Sequence, residues 1–89
     1  MIVCKRVIYT GRVQGVGFRA TARQLASEYA VCGEVRNLPD GSVELIAQGE
    51  SDQVGAFLGA VQHTMGRYLD DSATADCPPE NRQGFHIRY

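Results

Sequence analysis

Nine residues, Gly11-Arg12-Val13-Gln14-Gly15-Val16-Gly17-Phe18-Arg19, constrain this chain more than any other stretch. They lie between an extended, β-branched segment and a run with helical periodicity. Glycines at 11, 15 and 17 keep side chains off the backbone and permit positive φ. Successive N–H groups in such a loop can converge on one anion. The helix that follows adds its own unpaired N–H groups and the positive end of its dipole. Arg19, at the loop–helix junction, can close the cradle with a two-pronged charged hydrogen bond. The stretch therefore reads as a phosphate or carboxylate site.

Size limits what can surround that site. Eighty-nine residues make one small domain, 1–89, whose folding buries roughly 60–65% of the chain's surface. A hydrophobic content of 44% argues against disorder. A net charge of −1 and a pI near 6.0 exclude a general nucleic-acid or anionic-membrane binder. No apolar run approaches the ~18 residues of a membrane span. Lys5 and Arg6 interrupt any signal-peptide core, so the expected location is the cytoplasm. Cys4, Cys32 and Cys77 are odd in number, far apart and not in metal-ligand spacing. They read as thiols in a reducing compartment, small buried or half-buried residues of which one pair is free to meet in space.

In chain order, Ile2 to Thr10 is rich in β-branched and aromatic residues and reads as a strand, with Val3, Val7 and Tyr9 on one face and Cys4, Arg6 and Ile8 on the other. Phe18 to Val31 carries apolar residues at Phe18, Ala22, Leu25, Ala26 and Tyr29, the spacing of an amphipathic helix, with Gly33 as its stop. Glu34 to Leu38 and Ser42 to Gln48 flank the turn signal Pro39-Asp40-Gly41, a β-hairpin with Val43, Leu45 and Ala47 inward. A second helix follows, capped by Ser51 or Asp52, with Val54, Phe57, Leu58, Val61 and Met65 on its apolar face. Tyr68 to Cys77 carries three aspartates, and only Leu69, Ala73, Ala75 and Cys77 suit a core, so it reads as an edge strand. After a Pro78–Asn81 loop, Phe85 to Tyr89 forms a short closing strand.

The order β-α-β-β-α-β with an extra short C-terminal strand predicts an α+β fold, a ferredoxin-like sandwich. Right-handed crossovers would place both helices on one face of an antiparallel sheet. That architecture hosts many functions, so it does not by itself supply one. Gly15-Val16-Gly17-Phe18-Arg19-Ala20 also fits a loose dinucleotide-binding pattern. Such a site needs a doubly wound parallel sheet, which a hairpin straight after the helix does not allow.

Two segments carry a resemblance. Gly11 to Arg19 resembles the first signature of the acylphosphatase family, Gly-x-Val-Gln-Gly-Val-x-Phe-Arg, and is complete here. The second signature is matched in order and spacing by Gly33, Val35, Arg36, Asn37, Gly41, Val43 and Gly49. The likeness extends over the whole chain, including the Phe85-x-Ile87 ending. Two positions depart from the pattern: Glu34 stands where an aromatic residue is usual, and Tyr9 where an aliphatic one is. Glu34 bears on the packing of its strand's outer face more than on activity.

The resemblance implies hydrolysis of the carboxyl–phosphate bond of a small acyl phosphate, giving a carboxylate and inorganic phosphate. Arg19 and the amides of Gly15, Val16, Gly17, Phe18 and Arg19 would hold the phosphoryl group and neutralise its charge. Asn37 would aim the water, and the substrate's own phosphate oxygen would take the proton. No cofactor, metal or covalent intermediate is expected on this account. Inorganic phosphate and sulfate are expected to compete, and a monomer is favoured because no large apolar stripe is evident. His63 and His86 are isolated, Arg12, Arg36 and Arg67 suit a solvated face, and Asp70-Asp71 does not by proximity make a metal site.

Two binding modules compete with the enzyme reading. An RNA-recognition motif shares the element order but needs aromatics that the strand Ser42–Gln48 lacks. An anion-sensing or carbamoyl-transfer accessory domain would share the cradle, but such domains usually belong to longer chains.

Overall fold

Alternation in β1 (Ile2–Gly11) turns Val7 and Tyr9 into the core while Arg6 points to solvent, in a computed structural model that describes residues 1–89. The centre of the sheet is β3 (Val43–Glu50), antiparallel both to β1 and to β2 (Val31–Asn37). Val43, Leu45 and Ala47 of β3 all point inward and are fully buried, as their alternation predicts. Register sets Val7, Leu45 and Val35 in one row, and Tyr9, Val43 and Asn37 in the next. β4 (Leu69–Asp76) pairs antiparallel with β1 at one edge, and β5 (Phe85–Arg88) lies beside β2 at the other.

The order β4-β1-β3-β2-β5 is the ferredoxin-like one with a fifth strand appended. The sheet is mixed and not wholly antiparallel, because β5 runs parallel to β2. Helices α1 (Phe18–Ala26) and α2 (Ser51–Met65) share one core with the inward strand residues. Phe18, Ala22 and Ala26 meet Val54, Phe57, Val61 and Met65 there, and Leu58 is only half-buried at its margin.

Three further expectations are corrected. The first helix stops at Ala26, five residues before Val31. Ser27, Glu28 and Tyr29 donate to carbonyls three residues back, at 3.2, 3.0 and 3.2 Å, tightening the chain into a turn. Apolar spacing continues to Tyr29 because its ring packs on Phe57, 6.1 Å between centroids, not because the helix continues. Gly33 is no stop signal but a β2 residue at φ 151°, where any Cβ would collide with the Ile46 carbonyl of β3. Close backbone approach explains that glycine.

The second correction is the α2 cap. Ser51 is already helical, Glu50 is the cap residue, and no side chain bonds the helix start. The Ser51 N–H instead donates to the Met1 carbonyl at 3.0 Å. Asp52 sits in the first turn, where its charge suits the dipole. The third concerns β4, which is an edge as expected. Only its first residue, Leu69, is half-buried, whereas Ala73 and Ala75 are exposed.

Cys4 and Cys77 meet as free thiols across the sheet, the Cys77 N–H donating to the Cys4 carbonyl at 3.0 Å. Burial, reinforced by the neighbouring Cys77, pushes the Cys4 thiol up to about 12.

Charge is handled on the face of the sheet away from the helices. Glu44 of β3 has only 6% of its side chain exposed, and it accepts from Arg6 Nε at 2.6 Å and Arg36 Nε at 2.8 Å. Burial alone would raise its carboxyl, but the two arginines outweigh that and hold it below the usual range. Glu34 is half-buried beside Arg82 at 3.4 Å and Arg88 at 3.6 Å, so the strand carries ion pairs on the face where an aromatic is usual.

Glu44→Gln should therefore destabilise the protein by about 1–2 kcal/mol at pH 7, measured by urea unfolding. A carboxyl that titrates lower in the folded state than in the unfolded one stabilises fully above its unfolded value, about 4.3, and loses that contribution as pH falls toward its folded value. The difference between Gln and Glu should accordingly shrink below about pH 4. A gap that persists unchanged at pH 3 would remove the ionised pair as its cause.

Candidate active site

A small concavity opens where β1 ends, β2 ends and α1 begins. It encloses about 190 Å³ and is lined by Val13, Gly15, Gly17, Phe18, Arg19, Ala20, Asn37, Ile87 and Tyr89. Five of the six residues expected on sequence grounds, Gly15, Gly17, Phe18, Arg19 and Asn37, thus share one surface. Val16 does not line it, because its half-buried side chain packs against the core.

The loop owes its shape to its two later glycines. Gly15 and Gly17 have φ of 78° and 79°, and Gly17 is the N-cap of α1 in the left-handed conformation. No side chain caps α1, and no amide from residues 15 to 20 donates to another group of the protein. Those N–H groups are the natural complement of an anion. Behind the loop, Val13 is buried, and the Tyr9 ring packs on Phe18 at 5.0 Å, tilted by 49°. Burial raises the Tyr9 phenol well above its usual value, so it stays neutral. The aromatic at position 9 thus buttresses the residue next to Arg19.

Arg19 is half-buried and forms no ion pair with any carboxylate side chain. Its guanidinium stacks over the Tyr89 ring, 4.9 Å from the centroid, and Nη1 donates a long 3.5 Å hydrogen bond to the Arg88 carbonyl. Asn37 closes β2 opposite Val43, half-buried, with no hydrogen bond from its side chain to the protein. A cation without a counter-charge, uncommitted amides and an uncommitted carboxamide therefore face one cavity. Chemically, that set can hold a tetrahedral anion and orient one further polar molecule beside it.

Two wall residues and one residue behind the wall escaped sequence reasoning. Ile87 and Tyr89 arrive only because β5 runs parallel beside β2, a pairing no local pattern announces. Gln14 was visible merely as part of the motif. Its amide NH₂ bridges the Leu38 and Ser42 carbonyls at 2.9 Å each, joining the glycine loop to the turn after Asn37. His63 and His86 lie outside the cavity and are exposed.

A ferredoxin-like sheet with a glycine loop, a helix start and an unpaired arginine around one hollow makes an α+β domain whose site has the chemistry to receive an anion. Residues 5–87 match the family model described as Acylphosphatase, and the chain belongs to the acylphosphatase family. It is 45% identical over 89 residues to the acylphosphatase of Petrotoga mobilis, spanning 99% of this chain and 100% of that protein. Identity is again 45%, over 90 residues and the full length of both, with that of Methanothrix thermoacetophila. The crystal structure of acylphosphatase from Bacillus subtilis superposes with a TM-score of 0.88 at 32% identity, covering both chains completely. The protein is accordingly an enzyme that hydrolyses acyl phosphates. No helix is long and apolar enough to cross a membrane.

The loop's geometry has a measurable cost for substitution. A Cβ at Gly17 would meet nothing within 4 Å, so only the left-handed backbone resists it. Gly17→Ala should lower stability by about 1 kcal/mol through backbone strain alone, with a correspondingly lower urea midpoint. An unchanged midpoint would mean that the loop takes another conformation in solution.

Proposed function

We propose that Arg19 and the amides of Gly15, Val16, Gly17, Phe18 and Arg19 hold the substrate's phosphoryl group while Asn37 aims the attacking water. The observation that carries this reading is the Arg19 guanidinium, half-buried at the N-terminus of α1 without an acidic partner and facing Asn37 across one cavity. An acyl phosphate is an activated mixed anhydride with a carboxylate leaving group. The protein has only to position it, neutralise charge on its equatorial oxygens and present a water in line.

In this reaction the water oxygen bonds to phosphorus as the bond from phosphorus to the acyl oxygen breaks. Both electrons of the broken bond leave with the carboxylate. An amide is too weak a base to take the water's proton, so the proton passes to a phosphate oxygen of the substrate. The Asn37 carboxamide oxygen accepts from the water, and its NH₂ is free to donate. Charge neutralisation falls to Arg19 and the amides, so turnover needs no metal and no covalent intermediate. Inorganic phosphate and sulfate compete for the same cradle. Val13, Ala20 and Ile87 offer the acyl group an apolar wall with no polar discrimination, which favours a broad range of small acyl phosphates. The same reading has the enzyme working as a cytoplasmic monomer with its three cysteines as free thiols.

Three measurements with a simple aryl-acyl phosphate test the proposal. Arg19→Ala should lose both phosphate inhibition and turnover, at a cost on the order of 3 kcal/mol, and Arg19→Lys should restore little because a point charge lacks the fork. Near-normal rates in either variant would strip Arg19 of its role. Asn37→Ala should lose roughly 10²-fold in kcat while the phosphate inhibition constant stays within a few-fold. Equal losses in both would make Asn37 a phosphate ligand instead. Rates should also survive exhaustive chelation, and rescue of a chelated sample by a divalent ion would overturn the metal-free mechanism.

A further inference from the structure

The glycine loop and the turn after Asn37 belong to different parts of the chain, yet the proposed reaction needs them in fixed relation. Within the loop, one backbone hydrogen bond from residues 12–17 reaches out of the loop, Arg12 N–H to the Tyr68 carbonyl in the turn before β4, at 2.9 Å. That bond lies on the far side from Asn37, toward β4. Toward Asn37 the loop has one polar connection, the Gln14 side chain.

Gln14 spends both hydrogens of its NH₂ there, on the Leu38 carbonyl at 2.9 Å and the Ser42 carbonyl at 2.9 Å. Flipping the amide would set its oxygen against two carbonyl oxygens, so the pair of acceptors fixes its orientation. The acceptors belong to a turn that is itself braced. Leu38 N–H donates to the Ser42 carbonyl at 2.8 Å and Gly41 N–H to the Leu38 carbonyl at 3.1 Å. Ser42 donates from its N–H at 3.0 Å and its hydroxyl at 2.6 Å to one oxygen of Asp40. Asn37 is the last β2 residue before this turn, paired with Val43 just beyond it. Gln14 therefore grips both sides of the hairpin turn immediately after the residue assigned to the water.

We propose that Gln14 is a positioning residue that sets the distance between the phosphate cradle and Asn37. The proposal rests on the roles given above to Arg19 and Asn37, and it adds the element that holds them in register. Gln14 touches neither phosphate nor water. Losing it leaves the cradle whole, since Arg19 and the loop amides travel together, and leaves the hairpin whole, since its own bonds remain. What is lost is alignment, to which an in-line displacement is sensitive at the scale of 1 Å. Gln14 is exposed as a residue, so its removal opens no cavity in the core.

The test compares Gln14→Ala, Gln14→Glu and Asn37→Ala, singly and with Gln14→Ala added to Asn37→Ala. Readouts are kcat, the inhibition constant of inorganic phosphate and the thermal midpoint. Gln14→Ala should lose about tenfold or more in kcat, with phosphate inhibition within about twofold and the midpoint nearly unchanged. In the Asn37→Ala background the same change should cost almost nothing further, because there is no aimed water left to misalign. Gln14→Glu, nearly isosteric but without a donor when ionised, should match Gln14→Ala at pH 8. Its rate relative to the parent should rise toward pH 5 as protonation returns one donor. A full kcat in Gln14→Ala, or an undiminished further loss in the Asn37→Ala background, would overturn the assignment. Failure of the underlying mechanism shows separately, as a normal kcat in Asn37→Ala alone.

Discussion

The register of β3 against its two neighbours places Tyr9, Val43 and Asn37 in one row across the sheet, and the candidate site grows from that row. Tyr9 packs on Phe18, which fixes the start of α1, and Arg19 follows directly. Asn37 stands two strands away on the same face. A slip of one residue in either ladder would turn Val43, Leu45 and Ala47 outward and send Asn37 to the other side of the sheet. Burial of those three side chains thus holds the geometry of the candidate site as well as stability. The enzyme does not build its site separately from its core.

The two faces of the sheet treat charge differently. On the face away from the helices, Arg6 and Arg36 close on Glu44, while Arg82 and Arg88 flank Glu34. Each cation there has an acidic neighbour, and the buried carboxylate has two partners, the condition for tolerating a charge out of water. Arg19 on the other face has an aromatic ring and a distant carbonyl but no carboxylate. That asymmetry separates a structural arginine from one available to an anionic ligand. Local sequence does not reveal it, since neither Glu34 nor Glu44 stands near its partners in an obvious pattern.

Much of the fold was legible because periodicity and turn chemistry agreed. The Pro39-Asp40-Gly41 turn and the alternation of Val43, Leu45 and Ala47 specified the hairpin, and the apolar stripe from Val54 to Met65 specified α2. The first helix was overextended because Tyr29 keeps helical spacing while packing from a turn, so the pattern reported burial and not backbone. Gly33 misled for a related reason: its lack of a side chain serves contact with β3, not chain termination. Of the site, the glycine loop and Arg19 were readable from local chemistry, and Asn37 only through the paired motifs. The contributions of Ile87, Tyr89 and Gln14 depend on which distant segments become neighbours. No spacing within those segments encodes that.

β4 has a consequence beyond its pairing with β1. Its outer edge presents N–H and C=O groups that no strand of this protein occupies, and seven of its eight residues are exposed. Bare edges of this kind template pairing with a second molecule. Here that edge carries Asp70 and Asp71 without ion-pair partners, Asp76 being paired with Lys5, and two copies brought edge to edge would set like charges close together. The aspartates that make β4 such an unpromising strand on paper thus set a charge cost on zipping one molecule's edge to another's.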